Sequence, residues 1–314
     1  MIWLDLWSKQ ILKSSSLDSK AILILGYARP ELIARRIAEL QGLLQDENRL
    51  IISVDRFEGK DSKKIEKQFL ELKEKYSKIE WIFSKNRLGL AAHITTRISE
   101  LVCNFTTLSV IEDDVAVSAP AVSSMFSAQE ENAFQTFMTI GLFGSLVQSA
   151  PFRIFRNQWR TTPYFSAWGW SVRKEMWSLY QLDIVKRLGR EALLKTPGWN
   201  SLNDFQKRRW DHRFSKVEQN PLLTWDFQMQ FISWLHGLNH ALPLFRLCDN
   251  EGFEDQRSTN TKSKLPRWYL GKSEAKAPVA SELIENGIIT QCSELIDSYT
   301  WIGDRHPRDL IRRK

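Results

Sequence analysis

The chain has 314 residues, 43% of them hydrophobic, enough for one large or two ordinary domains with a real apolar core. Lys and Arg outnumber Asp and Glu by 44 to 37, and the pI near 9.2 suits phosphate-bearing ligands, nucleic acid or an anionic membrane face without choosing among them. Three cysteines (Cys103, Cys248, Cys292) in no CxxC pattern speak against a disulfide framework or a structural zinc site and for a reducing compartment, and no apolar run nears the roughly 18–20 residues that cross a bilayer.

The opening stretch, MIWLDLWSKQILKSSS, lacks the order of a signal peptide. It clusters Ile2, Trp3, Leu4, Leu6, Trp7, Ile11 and Leu12 at helical spacing, so residues 1–19 read as an amphipathic helix packed on the protein's own body, with a membrane surface as the alternative. Strand-like and helix-like text then alternates: AILILG (21–26), PELIARRIAELQGLL (30–44), RLIISVD (49–55), SKKIEKQFLELKEKY (62–76), IEWIFS (79–84), AAHITTRISELVCNF (91–105) and TTLSVIEDD (106–114). Such alternation with short links predicts an α/β fold with a mostly parallel central sheet flanked by helices. Ligands of such sheets bind beyond the carboxyl ends of the strands. Here those ends carry Tyr27 and Arg29, Asp55, Arg87, and the acidic run Glu112-Asp113-Asp114, all expected at one crevice.

The second half is rich in tryptophan and has longer links. SVRKEMWSLYQ (171–181) and WDFQMQFISWLHGL (225–238) read as helices, HALPLFRL (240–247) as a late strand, RRWDHRF (208–214) as a charged surface helix, and Cys103 as facing into a core. The segment from 263 onward reads as a helical and irregular C-terminal extension. Arg and Lys are dispersed, with no aromatic interleaving of the kind that lines a single-strand groove, so no nucleic-acid partner is expected.

No Walker, GxGxxG, HExxH or GxSxG motif is present. The chemistry therefore rests on Glu112, Asp113 and Asp114, three adjacent acids that need a counter-charge. Hard divalent cations take one or two protein carboxylates and fill the remaining positions with water and phosphate oxygens, which an acidic turn at a strand end can serve.

In order and spacing, ILILGYARPELIARRIAEL, IISVDRFEG, NRLGLAAHITTRISEL, VIEDDVAVSAPAVSSM, PYFSAWGWSVRKEMW, TWDFQMQFISWLHGL and LCDNEGFEDQRSTNT resemble GT-A-fold glycosyltransferases. More narrowly, they resemble a bacterial family-2-like group related to N-acetylglucosaminyltransferase I. The resemblance covers about residues 20–262 and implies a catalytic domain with a nucleotide-binding half (20–117) and an acceptor half (118–262). It implies inverting transfer from a nucleotide-diphosphate sugar, UDP-linked by expectation, to a glycan or glycolipid hydroxyl, with Mn2+ or Mg2+ as cofactor. Arg29 and Asp55 would hold base and ribose, with His93 near the base. Asp114 would be the metal ligand, with Glu112 and Asp113 orienting the donor sugar and metal-bound waters. Asp226 would be the catalytic base with Trp225 beside the acceptor, and Trp168, Gly169 and Trp170 would border the pocket. The 249–261 loop departs from the relatives' pattern by carrying Asn260 in place of a histidine, so Arg257 would meet the diphosphate instead. From the residues alone, Asp226 reads first as a helix cap paired with Thr224, and only the resemblance favours the base. A nucleotidyltransferase or an inactive nucleotide-sugar-binding protein stays open beside the transferase. The expected location is the cytoplasm, with peripheral contact at the inner face of a membrane as a hypothesis.

Overall fold

The computed structural model describes residues 20–45, 48–144, 158–253 and a short strand at 282–284. Strands β1 (Lys20–Gly26), β2 (Arg49–Val54), β3 (Glu80–Phe83) and β4 (Thr107–Glu112) alternate with helices α1 (Pro30–Leu40), α2 (Ser62–Lys75) and α3 (Leu90–Leu101). They pair in parallel in the order β3-β2-β1-β4. β1 has to be apolar on both sides. Leu23 and Leu25 pack with Ile94 and Ile98 of α3 on one face, while Ile22 and Ile24 pack with Ile33 and Ile37 of α1 on the other.

After β4 the chain adds β5 (Val115–Val117), α4 (Ala119–Glu130), β6 (Ile140–Gly141), β7 (Gln158–Thr162) and β8 (Trp170–Arg173). Helices α5 (Lys174–Trp177), α6 (Ile184–Leu188), α7 (Pro197–Asn200), α8 (Asp204–Gln219) and α9 (Asp226–Leu235) follow, then β9 (His240–Pro243), β10 (Cys248–Asn250) and β11 (Glu282–Ile284). Among the described residues, the large sheet has nine strands in the order β11-β7-β9-β6-β8-β4-β1-β2-β3, and β5 and β10 form a separate antiparallel ribbon. The architecture is the expected α/β one: a large central sheet flanked by helices.

Three local expectations are corrected. Residues 171–181 are not one helix. Trp170–Arg173 form β8, antiparallel to both β4 and β6, and only Lys174–Trp177 are helical, so the second half makes the sheet mixed. Gly169 turns the chain into β8 at φ +66, and period-two alternation then sends Trp170 and Val172 into the apolar core while Ser171 receives the Gln129 side-chain amide at 2.8 Å. Cys103 is exposed, because α3 gives way after Leu101 to a 3-10 turn at Val102–Asn104 that rotates it outward. Residues 282–284, in the expected extension, pair in parallel with β7, so the sheet continues past residue 262. The segment 1–19, Arg257 and the remainder of the extension lie outside the described residues. Among the described residues, no helix is long and apolar enough to cross a membrane.

Two histidines are buried, His240 in the sheet and His93 on α3. His240 is bonded to Thr139 Oγ1 at 2.7 Å and His93 to Ser53 Oγ at 2.8 Å. Burial pushes His240 down to about 3. It pushes His93 down to about 4, with Arg97 adding to the effect and Asp55 opposing it. Their ordinary value is 6.5, so below it the unfolded chain takes up protons that the fold refuses. The stability that these two histidines contribute is therefore expected to be lost as pH drops from about 6.5 and the loss to level off near pH 3–4, while the buried carboxyls whose pKa values are raised act in the opposite sense. Urea midpoints measured from about pH 7.5 to about pH 4.5 should show the difference between the parent and His240→Gln shift in favour of the variant as pH falls; a difference that does not change with pH would contradict it.

Candidate active site

Backbone bonds gather the strand ends. Asp55 N–H donates to Gly26 O and Asp113 N–H donates to Leu25 O, each at 2.9 Å, so the tip of β1 is flanked by one acid from β2 and one from β4. Beyond these ends opens a crevice of about 450 Å3. The strand-end side contributes Tyr27, Arg29, Asp55, Arg87, His93 and Glu112-Asp113-Asp114, and the facing wall contributes Trp168, Trp210, Arg213, Trp225 and Asp226.

The acidic turn is tied down before any ligand arrives. Arg29 Nε donates to Asp113 Oδ2 at 3.3 Å, while its Nη2 donates to Asp113 Oδ1 and, at 3.1 Å, to Asp114 Oδ2. Burial works against the Arg29 charge, but the attraction of Asp113 and Asp114 outweighs it and holds the guanidinium above its ordinary pKa. Its Nη1 is buried without a hydrogen-bond partner. On the far side, fully buried Arg36 binds Glu39 at 2.9 Å and Glu251 at 3.1 Å. Glu251 N–H donates to Asp114 O at 2.7 Å, and Glu39 accepts from Val117 N–H at 3.2 Å, which fixes the ribbon leaving the acids. One arginine does not settle the charge. Burial, then the neighbouring Asp114 and Asp113, then Asp226 across the crevice drive the Glu112 carboxyl well above its usual range.

At the other strand ends, Asp55 holds the backbone in place as well as lining the crevice. Its oxygens accept the backbone N–H groups of Arg56, Leu88 and Gly89, each at 2.9 Å. This draws the 86–89 loop against the start of α3, where Gly89 takes φ +80. His93 lines the crevice from α3 through its contact with Ser53, and Arg87 lies over the Tyr27 ring at 5.8 Å.

The facing wall is held by aromatic packing. Trp225 stacks on Trp170 at 5.3 Å between planes 20° apart, and Phe165 meets both rings edge-on at 5.4 and 5.2 Å. Trp225 leads directly into α9, whose first residue is Asp226. Asp226 is not the helix cap: the cap position is Trp225 and makes no side-chain cap bond. Thr224 Oγ1 and, at 3.0 Å, Phe227 N–H both donate to Asp226 Oδ1. Burial raises the Asp226 pKa, with Thr224 and the Arg213 charge opposing.

Gly169 and Trp170 stop short of the crevice. Gly169 faces Leu142, and Trp170 is wholly buried behind Trp225, so of that tryptophan pair only Trp168 reaches the cavity. Two residues missed by sequence reasoning do reach it. RRWDHRF is not all surface: Gln206, Trp210, Phe214 and Val217 form the buried stripe of α8, and Trp210 and Arg213 line the wall beside Asp226. Asp211 faces outward to Arg190 at 2.6 Å. The three-to-four spacing of those apolar residues is the signal that could have revealed the stripe.

Among the described residues, no three His, Cys, Asp or Glu side chains converge as a protein-built metal cage would need. The donor set does fit a hard cation that draws most ligands from water and phosphate. Five carboxylates face three guanidiniums in the lining, and the acids crowd at one end. Asp114, with Glu112 beside it, is where such an ion would be held.

No known protein family matches the chain, and no curated protein does. Among solved structures, it is similar to the mannosyltransferase PcManGT from Pyrobaculum calidifontis in complex with GDP-Man and Mn2+, at 11% identity and a TM-score of 0.38 over 74% of this chain and 76% of that one. At that identity and overlap, nothing about donor, acceptor or metal is carried over from it.

Proposed function

We propose that this chain is an inverting glycosyltransferase that moves a sugar from a nucleotide-diphosphate donor, UDP-linked, to a hydroxyl of a glycan or glycolipid. One observation carries the reading: an arginine-held acidic strand end and a separate desolvated carboxylate, Asp226, meet across one crevice.

In this reading, Tyr27, Arg87 and His93 border the nucleotide, and Asp55 shapes the loop against which it lies. Asp113 aims Arg29, whose unpartnered Nη1 is offered to the diphosphate. Asp114 holds a divalent ion, which when bound supplies Lewis-acid stabilisation of the departing diphosphate. Glu112 contacts the donor sugar. Asp226 accepts the proton of the acceptor hydroxyl as its oxygen bonds to the anomeric carbon from the face opposite the diphosphate. The bond from carbon to phosphate oxygen breaks in the same step, so one inversion results and no enzyme nucleophile is required. Burial suits Asp226 to the task, because a raised pKa brings a carboxylate closer to that of a useful base.

The test is a panel of UDP- and GDP-sugars incubated with the chain and Mn2+, read by release of nucleoside diphosphate and, by NMR, by the anomeric configuration of the product. One donor turned over with inversion is expected. Nucleotidyl transfer, retention of configuration, or no turnover and no nucleotide binding across the panel would overturn the reading.

A further inference from the structure

Resting on the transferase reading, we infer that Ser53 and Arg97 are positioning residues that hold His93 as the tautomer protonated on Nδ1. The floor of the crevice then offers a fixed hydrogen-bond donor, which selects a nucleobase bearing a carbonyl oxygen over one bearing an amino group. Three side chains leave their protons one arrangement. Arg97, on α3, can only donate. Its Nε donates to Ser53 Oγ at 3.1 Å, its Nη2 to Ser84 Oγ at 3.1 Å and its Nη1 to Glu100 at 2.6 Å, so every nitrogen of the guanidinium is anchored. Ser53, on β2, is wholly buried; it receives a proton from Arg97 and must place its own. The one further partner of Ser53 Oγ among the described residues is His93 Nε2, at 2.8 Å. A buried hydroxyl whose proton meets no acceptor is costly, so Ser53 donates and Nε2 accepts.

Burial pushes the His93 pKa down to about 4, so at neutral pH the ring is uncharged and carries one proton. With Nε2 accepting, that proton sits on Nδ1. Nδ1 makes no hydrogen bond among the described residues and is not sealed away, and the ring it belongs to lines the crevice. His93 is 3% exposed, which puts it at the floor, where the edge of a base remote from its ribose is the part that reaches. That edge carries a carbonyl oxygen in uracil or guanine and an amino group in cytosine or adenine. The carbonyl accepts from Nδ1–H. The amino group brings a second donor to the same point, and His93 cannot answer by moving its proton to Nε2 without leaving the Ser53 hydroxyl unpaired.

The test begins with the full chain free of nucleotide and labelled with nitrogen-15 histidine, whose long-range nitrogen–proton NMR spectra tell a protonated ring nitrogen from a bare one. His93→Gln identifies the resonances. Nδ1 of His93 should be protonated and Nε2 bare at neutral pH, and the reverse pattern overturns the inference. Calorimetric titration in Mg2+ then compares UDP with CDP and inosine diphosphate with ADP, pairs of nearly equal size that exchange the carbonyl for the amino group. The carbonyl member of each pair that binds should bind at least about tenfold more tightly. Ser53→Ala frees the ring to take either tautomer, so that ratio should fall toward one, chiefly through tighter binding of CDP and ADP. Ser53→Thr, which keeps the hydroxyl, should preserve it. A Ser53 that served packing alone would alter stability in the alanine variant and leave the ratio where it was. Equal binding of UDP and CDP by the parent, or a ratio that Ser53→Ala does not move, overturns the inference. Binding of none of the four nucleotides overturns the transferase reading and the base preference with it, and is told apart because the tautomer is read without nucleotide.

Discussion

Arg29→Met is expected to destabilise the protein more than any exposed substitution and to abolish donor binding. Asp113 and Asp114 are buried, and both of their carboxylates rest on the Arg29 guanidinium. Removing one partner of a buried ion pair leaves an uncompensated charge, at a cost of about 3–5 kcal/mol. For a domain of this size the loss corresponds to a Tm lower by roughly 10 °C. Differential scanning calorimetry at neutral pH measures it directly. A Tm within a degree or two of the parent would mean that the acids are neutralised by something other than Arg29. Met is the informative replacement, since it keeps much of the volume and apolar stem while removing the charge and all five donors.

Asp226→Asn is expected to leave the fold and nucleotide affinity intact and to lower turnover by about 10²–10⁴-fold. Asparagine keeps an oxygen that can accept from Thr224 Oγ1 and Phe227 N–H, the two bonds that hold the side chain at the start of α9. It cannot take a proton from the acceptor. Loss confined to kcat, with the donor KM unchanged, is the signature of a group acting in the chemical step. In the proposed reading, the unaltered chain should lose activity on the acid side at a pH above the ordinary aspartate value of 3.8, because burial raises Asp226 and only its ionised form is a base. A variant whose donor KM rises as far as its kcat falls would move Asp226 to the donor site.

The sheet was legible in the sequence because β1, β2 and β4 are apolar on both faces, as strands sandwiched between helices must be. The convergence of Tyr27, Arg29, Asp55, Arg87 and the 112–114 acids at one crevice followed from parallel strands sharing a carboxyl edge. What each of these residues does was less legible. Asp55 reads as a ribose ligand, and only the structure shows that its oxygens also hold three backbone amides contributed by residues up to 34 positions away. Arg29 reads as a nucleotide contact, and nothing in the text around it shows that its fork also clasps Asp113 and Asp114 across the sheet. Long-range partners leave no mark in local text. The second half misled for a different reason. Helix-forming KEMW directly follows the strand Trp170–Arg173, and local propensity carried the helix back over residues whose pairing with β4 is decided by tertiary contact. In RRWDHRF, attention to the charges hid the apolar stripe that carries Trp210 and, with it, Arg213 to the crevice wall.

Binding of Mn2+ in the presence of nucleoside diphosphate, followed by electron paramagnetic resonance, tests the central claim most directly, since that claim is that a cation at the 112–114 turn joins the protein to a pyrophosphate. The free-Mn2+ signal should fall on adding the chain together with UDP, fall far less with either alone, and stay undiminished with Asp114→Asn. An unchanged signal with UDP and with GDP, or equal uptake by Asp114→Asn, would contradict the account.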